Sequence, residues 1–267
     1  MQAFVRGFVL TIARRGVPGY RTPSPQDLAG MAGAFDALRQ GDAERAEAMA
    51  EPYGYEVLEL SAPQRRVLAL AERRGPSDGR RNAWGLYLVA PDAPSAVVVE
   101  VPHPLHDEGT ERIGAELFEQ AGARYLFVAG AHRLAVSGGV ADVAHQEASV
   151  FEALHRRAVD GGGPVVQPHG FSGWSRPPGY GDVVLSSGTP QPGPLVSAAA
   201  ASISAAGVPV SIYDGRDVRT LGGAANVQAA SSRAAGVLFL HVELSDRVRS
   251  DPGLRRRVTA ALAAAIR

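Results

Sequence analysis

Apolar positions along the chain recur at two spacings. From Ser24 the run S-P-Q-D-L-A-G-M-A-G-A-F-D-A-L places them three and four apart behind a Ser-Pro start, which predicts an N-capped amphipathic helix, with a second helical stretch after Gly41 and before Ala50. Gly54 to Leu60 (GYEVLEL) alternates as a strand does. Residues 73 to 82 (RRGPSDGRRN) are polar and broken by Gly and Pro, so an exposed loop is expected. Beyond Trp84 the apolar runs become short and continuous. GLYLVA and, past a turn at Pro91 to Ser95, Ala96 to Val99 read as two buried neighbouring strands. TERIGAELFEQA (110–121) reads as a helix stopped by Gly122, and ARYLFVAG as the next buried strand. The order strand, helix, strand predicts a parallel crossover.

Further along, 142–159 (DVAHQEASVFEALHRRAV) is expected as helix and Pro164 to Gln167 as strand. Residues 172–194, rich in Gly, Pro and Ser, are expected as a long surface loop beside the site. Leu195 to Ala206 follows as helix, VPVSIYD as a short strand, VLFLHVELS as a strand and 252–266 as the closing helix. The alternation predicts an α/β fold of three layers: a mixed, mostly parallel sheet with helices on both faces. With 267 residues and no evident linker or repeat, 1–267 reads as a single domain, with 1–83 a helical and strand extension packed on it.

Composition narrows the chemistry. The chain has no cysteine, which excludes a disulfide framework, a thiolate nucleophile and a Cys-ligated metal; any metal must sit on nitrogen and oxygen. The 27 basic residues, all Arg, balance 27 acidic ones, which argues against a nucleic-acid partner. The apolar run Phe8 to Ala13 is cut off by Arg14 and Arg15, too short for a membrane span or the centre of a signal peptide. A soluble protein is expected.

Four of the seven histidines stand at or just past predicted strand ends: His103, His132, His169 and His241. Ligands of open parallel sheets gather at the carboxyl ends of the strands, so the loops after Val101, Ala129, Val166 and Val242 are expected to converge. In E-V-P-H-P-L-H-D-E-G-T-E, His103 follows a strand and Asp107 sits at the edge of the next helix, where it is a ligand or a helix cap. His169, in Q-P-H-G-F-S with Gly170 allowing close approach, is the expected third ligand. Zinc accepts such a set and keeps one place for water, whose pKa falls toward ~7. Glu243, an acid inside the apolar run L-H-V-E-L-S, is the expected general base, its pKa raised by partial desolvation. Arg133 just beyond a strand is placed to stabilise an oxyanion or hold a substrate carboxylate. His106, His132 and Asn226 are candidate substrate contacts, Asn226 alternatively a turn residue. His145 and His155 share one predicted helix away from the site, with His155 in solvent.

The run H-P-L-H-D-E-G-T-E-R-I-G-A-E-L-F (103–118) resembles the His-Gly-Gly-x-x-Glu-x-Gly-Thr stretch of the poly-γ-glutamate hydrolase family, with Asp107 near its Glu and Gly109-Thr110 near its Gly-Thr. Q-P-H-G-F and L-H-V-E-L-S are similar to the third-ligand and catalytic-glutamate strands of zinc carboxypeptidases and their amidohydrolase relatives, including N-formylglutamate amidohydrolases. The resemblance covers residues 84 to 267. It implies a phosphorylase/hydrolase-like fold and zinc-dependent cleavage of an amide in a peptide or N-acyl amino acid. His-x-x-x-Asp replaces the carboxypeptidase His-x-x-Glu, so Asp107 or His106 is the second ligand. Two other readings stand beside this one. A serine hydrolase would use Ser172 or Ser187, although no G-x-S-x-G elbow occurs. A non-catalytic binding module would keep a vestigial or structural metal site.

Overall fold

The computed structural model describes residues 1–17, 19–62, 65–73, 82–173 and 177–267. Most of the stretch read as an exposed loop, 73–82, lies outside them. The helices are α1 (Gln2–Val9), α2 (Pro25–Arg39), α3 (Ala43–Ala50), α4 (Thr110–Gln120), α5 (Val150–Val159), α6 (Pro194–Ala205), α7 (Val227–Ala234), α8 (Asp246–Ser250) and α9 (Pro252–Ile266). The strands are β1 (Tyr55–Ala62), β2 (Arg65–Glu72), β3 (Leu86–Val89), β4 (Val98–Val101), β5 (Tyr125–Val128), β6 (Val165–Phe171), β7 (Val183–Ser186), β8 (Val210–Ile212) and β9 (Phe239–Ser245). No helix among the described residues is long and apolar enough to cross a membrane.

The nine strands of the described residues join one sheet in the order β1-β2-β3-β5-β4-β6-β9-β7-β8. The middle four, β5-β4-β6-β9, run parallel, and antiparallel pairings flank them at β3 and β7. The period of two sorts each strand between two cores. Val99, Val101, Leu126, Val128, Leu240, Val242 and Leu244 face one side with residues of α1, α4, α6 and α9. Val98, Tyr125, Phe127, Val165 and Phe239 face the other with residues of α2, α3, α5 and α7. The sheet is thus the middle of three layers, as the alternation predicts. Ser24 caps α2 as expected: its hydroxyl accepts from the Asp27 amide, and the Asp27 carboxylate accepts from the Ser24 amide.

Several expectations are corrected. β3 and β4 are not neighbours, because the β4–α4–β5 crossover sets β5 beside β4 and β3 pairs antiparallel with β5. The helix expected over 142–159 begins only at Val150, where Ser149 accepts from the Glu152 amide and caps it; Asp142 and His145 lie in turns before it. The stretch 172–194 is not all loop, since V-V-L-S forms β7 against β9. β6 does not stop at Gln167 but runs to Phe171 across Pro168. Beyond Val166 it pairs with β9 alone, an edge where a proline is tolerated. His169 therefore projects from a strand rather than from the loop after it, while Glu243 lies within β9 as expected. His155 is fully buried, not solvated.

Candidate metal centre

The site is assembled by register. β6 and β9 pair Gln167 with His241 and His169 with Glu243, and all four fall on the face opposite Leu240, Val242 and Leu244. β4 ends at Val101, and the chain turns at once: the Asp107 amide donates to the His103 carbonyl and Thr110 Oγ1 to the Asp107 carbonyl. α4 is then entered through Gly109, at φ +95°, with no side chain capping it. The Asp107 carboxylate is consequently not a helix cap.

It points instead between two imidazoles. Asp107 Oδ2 lies 3.4 Å from His103 Nδ1 and 3.4 Å from His169 Nδ1, and all three side chains are buried. Their outer nitrogens are engaged elsewhere: His103 Nε2 with Asp142 Oδ1 at 2.8 Å, and His169 Nε2 with Gln167 Oε1 at 2.7 Å. His103 Nδ1 has no hydrogen-bond partner. Two ligands each about 2.1 Å from a tetrahedral zinc lie about 3.4 Å apart, so these spacings fit a divalent cation. The bonds to Asp142 and Gln167 are the outer contacts that ligating histidines ordinarily make. Among the described residues Asp107, not His106, completes this group.

A second group shares His169. Its ring lies tilted at 37° to that of His241, 4.3 Å between centroids, and His241 Nε2 lies 3.3 Å from Glu243 Oε1. Glu243 Oε2 and His241 Nδ1 are buried without hydrogen-bond partners. A Cβ at Gly223 would touch the His241 ring at 2.8 Å, so Gly223 lets backbone lie against that ring, while Gly222 does the same against Tyr213.

The electrostatics follow from crowding. Burial opposes charge on His103, yet Asp107 and Asp142 outweigh it and raise its pKa. Both carboxyls are held well below the usual range by that imidazole, against their own burial. Burial, then repulsion from His241, pushes His169 down to about 4.

Other expected site residues are placed as follows. Arg133 Nη2 pairs with Asp142 Oδ2 at 2.5 Å, and His145 Nδ1 lies 3.1 Å from Asp142 Oδ1, so Asp142 joins His103 to two further groups. The His106 and His132 rings meet edge to face at 5.3 Å, His106 being 6.3 Å from His103. Burial first, then neighbouring positive charge, lowers the pKa of His132. Asn226 caps α7 and donates to Gln167 Oε1, one layer beneath the histidines. Ser187 bonds Thr189 and the Gln191 carbonyl. A Ser232–His155–Glu100 chain has the bonding order of a serine triad, but all three residues are buried at 0% exposure.

Asp142, Glu100, Gln167 and Arg249 were not foreseen. Arg249 donates to the carbonyls of Glu108, Phe171 and Leu244, tying the Asp107 turn to the ends of β6 and β9; Gly170 leaves room for its guanidinium. The acid in V-V-V-E-V could have drawn attention to Glu100, being the same signal that marked Glu243.

No protein-family model and no curated protein matches the sequence. Among solved structures the chain is similar in part to a bacteriophage poly-γ-glutamate hydrolase (TM-score 0.43, 15% identity, covering 64% of this chain and 83% of that one). It is similar also to N-formylglutamate amidohydrolase from Ralstonia eutropha JMP134 (0.48, 15%, 69% and 96%) and to a metallo-carboxypeptidase from Burkholderia cenocepacia (0.40, 16%, 92% and 69%). All three identities are low and all three TM-scores fall below 0.5.

Proposed function

We propose that this protein is a zinc-dependent hydrolase of an amide bond. The observation that carries the reading is the pair of buried imidazoles whose Nδ1 atoms each stand 3.4 Å from one Asp107 oxygen while their Nε2 atoms are bonded elsewhere. His103, Asp107 and His169 would hold the ion. When bound, it supplies Lewis acidity for a substrate carbonyl and acidifies water.

The remaining chemistry falls to the chain. Glu243, with one oxygen unbonded and beside His169 in register, takes a proton as water adds to the amide carbon and delivers it to the nitrogen as the C–N bond breaks. A carboxylate and an amine result. Asp142 orients His103, and Arg133 holds Asp142. The other guanidinium donors of Arg133 are assigned to the developing oxyanion or a substrate carboxylate. The exposed His106 and its buried ring neighbour His132 are assigned to substrate contact. That the bond is an amide rests on the resemblance of residues 103–118 to poly-γ-glutamate hydrolases.

Metal analysis of the purified protein, followed by assay of N-acyl amino acids and short peptides with zinc present, tests the reading. Stoichiometric zinc, chelator-sensitive turnover, and a loss of about 10²- to 10⁴-fold in kcat for Glu243→Gln with zinc retained are expected. Absence of zinc binding overturns it. Zinc bound with ligand binding unaltered and no turnover in either protein identifies a binding module instead.

A further inference from the structure

Beneath the histidines lies a chain of buried bonds whose directions are set from its far end. Glu100 on β4 is fully buried; Oε1 accepts from His155 Nδ1 at 2.8 Å and Oε2 from Gln167 Nε2 at 3.0 Å. An ionised carboxylate accepts and never donates, so the Gln167 amide must turn its NH₂ toward Glu100. Its second hydrogen goes to Gln228 Oε1 at 3.3 Å, and Gln228 is oriented in turn by donating to the Val143 carbonyl and Glu152. Both hydrogens of Gln167 are thus used. Oε1 is left facing His169 Nε2, and Asn226 donates to the same oxygen. The Gln167 oxygen at 2.7 Å is the nearer acceptor and Asp107 Oδ2 at 3.4 Å the farther, so the proton of a neutral His169 is placed on Nε2, which turns the Nδ1 lone pair toward Asp107 and a cation held there.

We propose that Glu100, acting through Gln167, selects the ring nitrogen that His169 presents to a cation. Both are positioning residues: neither approaches the ion or the substrate, and each acts by fixing a tautomer. The inference rests on the zinc reading for its purpose, but not for its mechanism. Glu100→Gln, nearly the same shape, keeps its oxygen for His155 and turns its NH₂ on Gln167, which drives Gln167 toward reversal against the opposing contacts of Gln228 and Asn226 and so toward a mixture. Gln167→Leu removes the acceptor altogether.

The test uses metal-free protein labelled with ¹⁵N-histidine, read by long-range ¹H–¹⁵N correlation, and zinc affinity by chelator competition. In the wild type His169 is expected as the Nε2–H tautomer alone. In Glu100→Gln a mixture is expected, with zinc bound about 10- to 100-fold more weakly, the range for outer contacts of a ligating histidine. Gln167→Leu should do the same where it folds. An Nδ1–H tautomer in the wild type, which needs no variant, overturns the proposal. So does an unchanged tautomer and affinity in Glu100→Gln. A shifted tautomer in a protein that takes no zinc supports this inference and overturns only the functional reading.

Discussion

Two polar layers lie one above the other on the same face of the sheet, and they differ in how completely they are bonded. In the lower one Glu100, His155, Gln167, Gln228 and Glu152 each have partners for their side-chain polar atoms. In the upper one, nearer the carboxyl ends of the strands, His103 Nδ1 and Glu243 Oε2 have none, and neither has Nδ1 of His241, which is level with Gln167 but reaches up to Glu243. A buried polar group left without a partner costs about 1–3 kcal/mol, so the upper layer is strained unless something binds there. The lower layer is scaffold. The difference separates groups that hold the fold from groups held ready.

The largest expected effect lies in the scaffold. His155→Leu leaves Glu100 buried without its cation and should cost about 3–5 kcal/mol in denaturant unfolding. His155 is held with a raised pKa by Glu100, against the burial that disfavours its charge. A loss under about 1 kcal/mol, no more than an exposed ion pair contributes, would erase the distinction between the layers.

Next comes Asp107→Asn in the upper layer. Removing the charge of the proposed ligand should weaken zinc by more than about a hundredfold, beyond the range of outer-contact changes, while the fold is kept. A cap or surface residue at that position would leave zinc affinity untouched, and chelator competition distinguishes the two.

Much of this was legible in the sequence where local rules apply. The Ser24 cap, the α4 crossover and α9 follow from spacing and terminal residues, and the nearness of His103, Asp107 and His169 from their places after β4, at the edge of α4 and on β6. What was not legible is lateral. Glu100 and Glu243 are both acids inside apolar runs, and nothing in either run says that one faces α5 and His155 while the other faces the open end of the sheet. His155 sits on an amphipathic helix, where spacing gives a face but not what packs against it. The neighbour of β3 depends on where the crossover from β4 lands, a choice made by the whole sheet. Sequence marks that an acid is buried; partners decide what it does.

Outside both layers, Asp27 offers a smaller and pH-dependent effect. The Arg21 guanidinium first, then the Ser24 amide and hydroxyl, hold its carboxyl well below the usual range, against a burial contribution. Its folded pKa is depressed, so its stabilisation is complete above the unfolded value of about 3.9 and is lost as pH falls through the folded one. Arg21 is half exposed, and solvent screening keeps the ion pair modest. Asp27→Ala should therefore cost about 1 kcal/mol at pH 7, the size of a lost cap, with the difference from wild type shrinking in strong acid. A difference that stays constant with pH would place the contribution in packing rather than charge.

The smallest effect has the most informative sign. Glu243→Gln keeps the size of the side chain and an oxygen for His241, but removes a charge of which one oxygen is buried without a partner. Functional groups of this kind are held at some expense of stability, and neutralising them commonly stabilises a fold. In metal-free protein the variant should unfold about 0.5 kcal/mol later than the wild type. The opposite sign is expected for Glu100→Gln, whose oxygens both accept hydrogen bonds. If Glu243→Gln instead loses about 1 kcal/mol or more, Glu243 is bonded as Glu100 is. It then belongs to the scaffold, and a carboxylate so engaged has no free oxygen with which to take a proton from water.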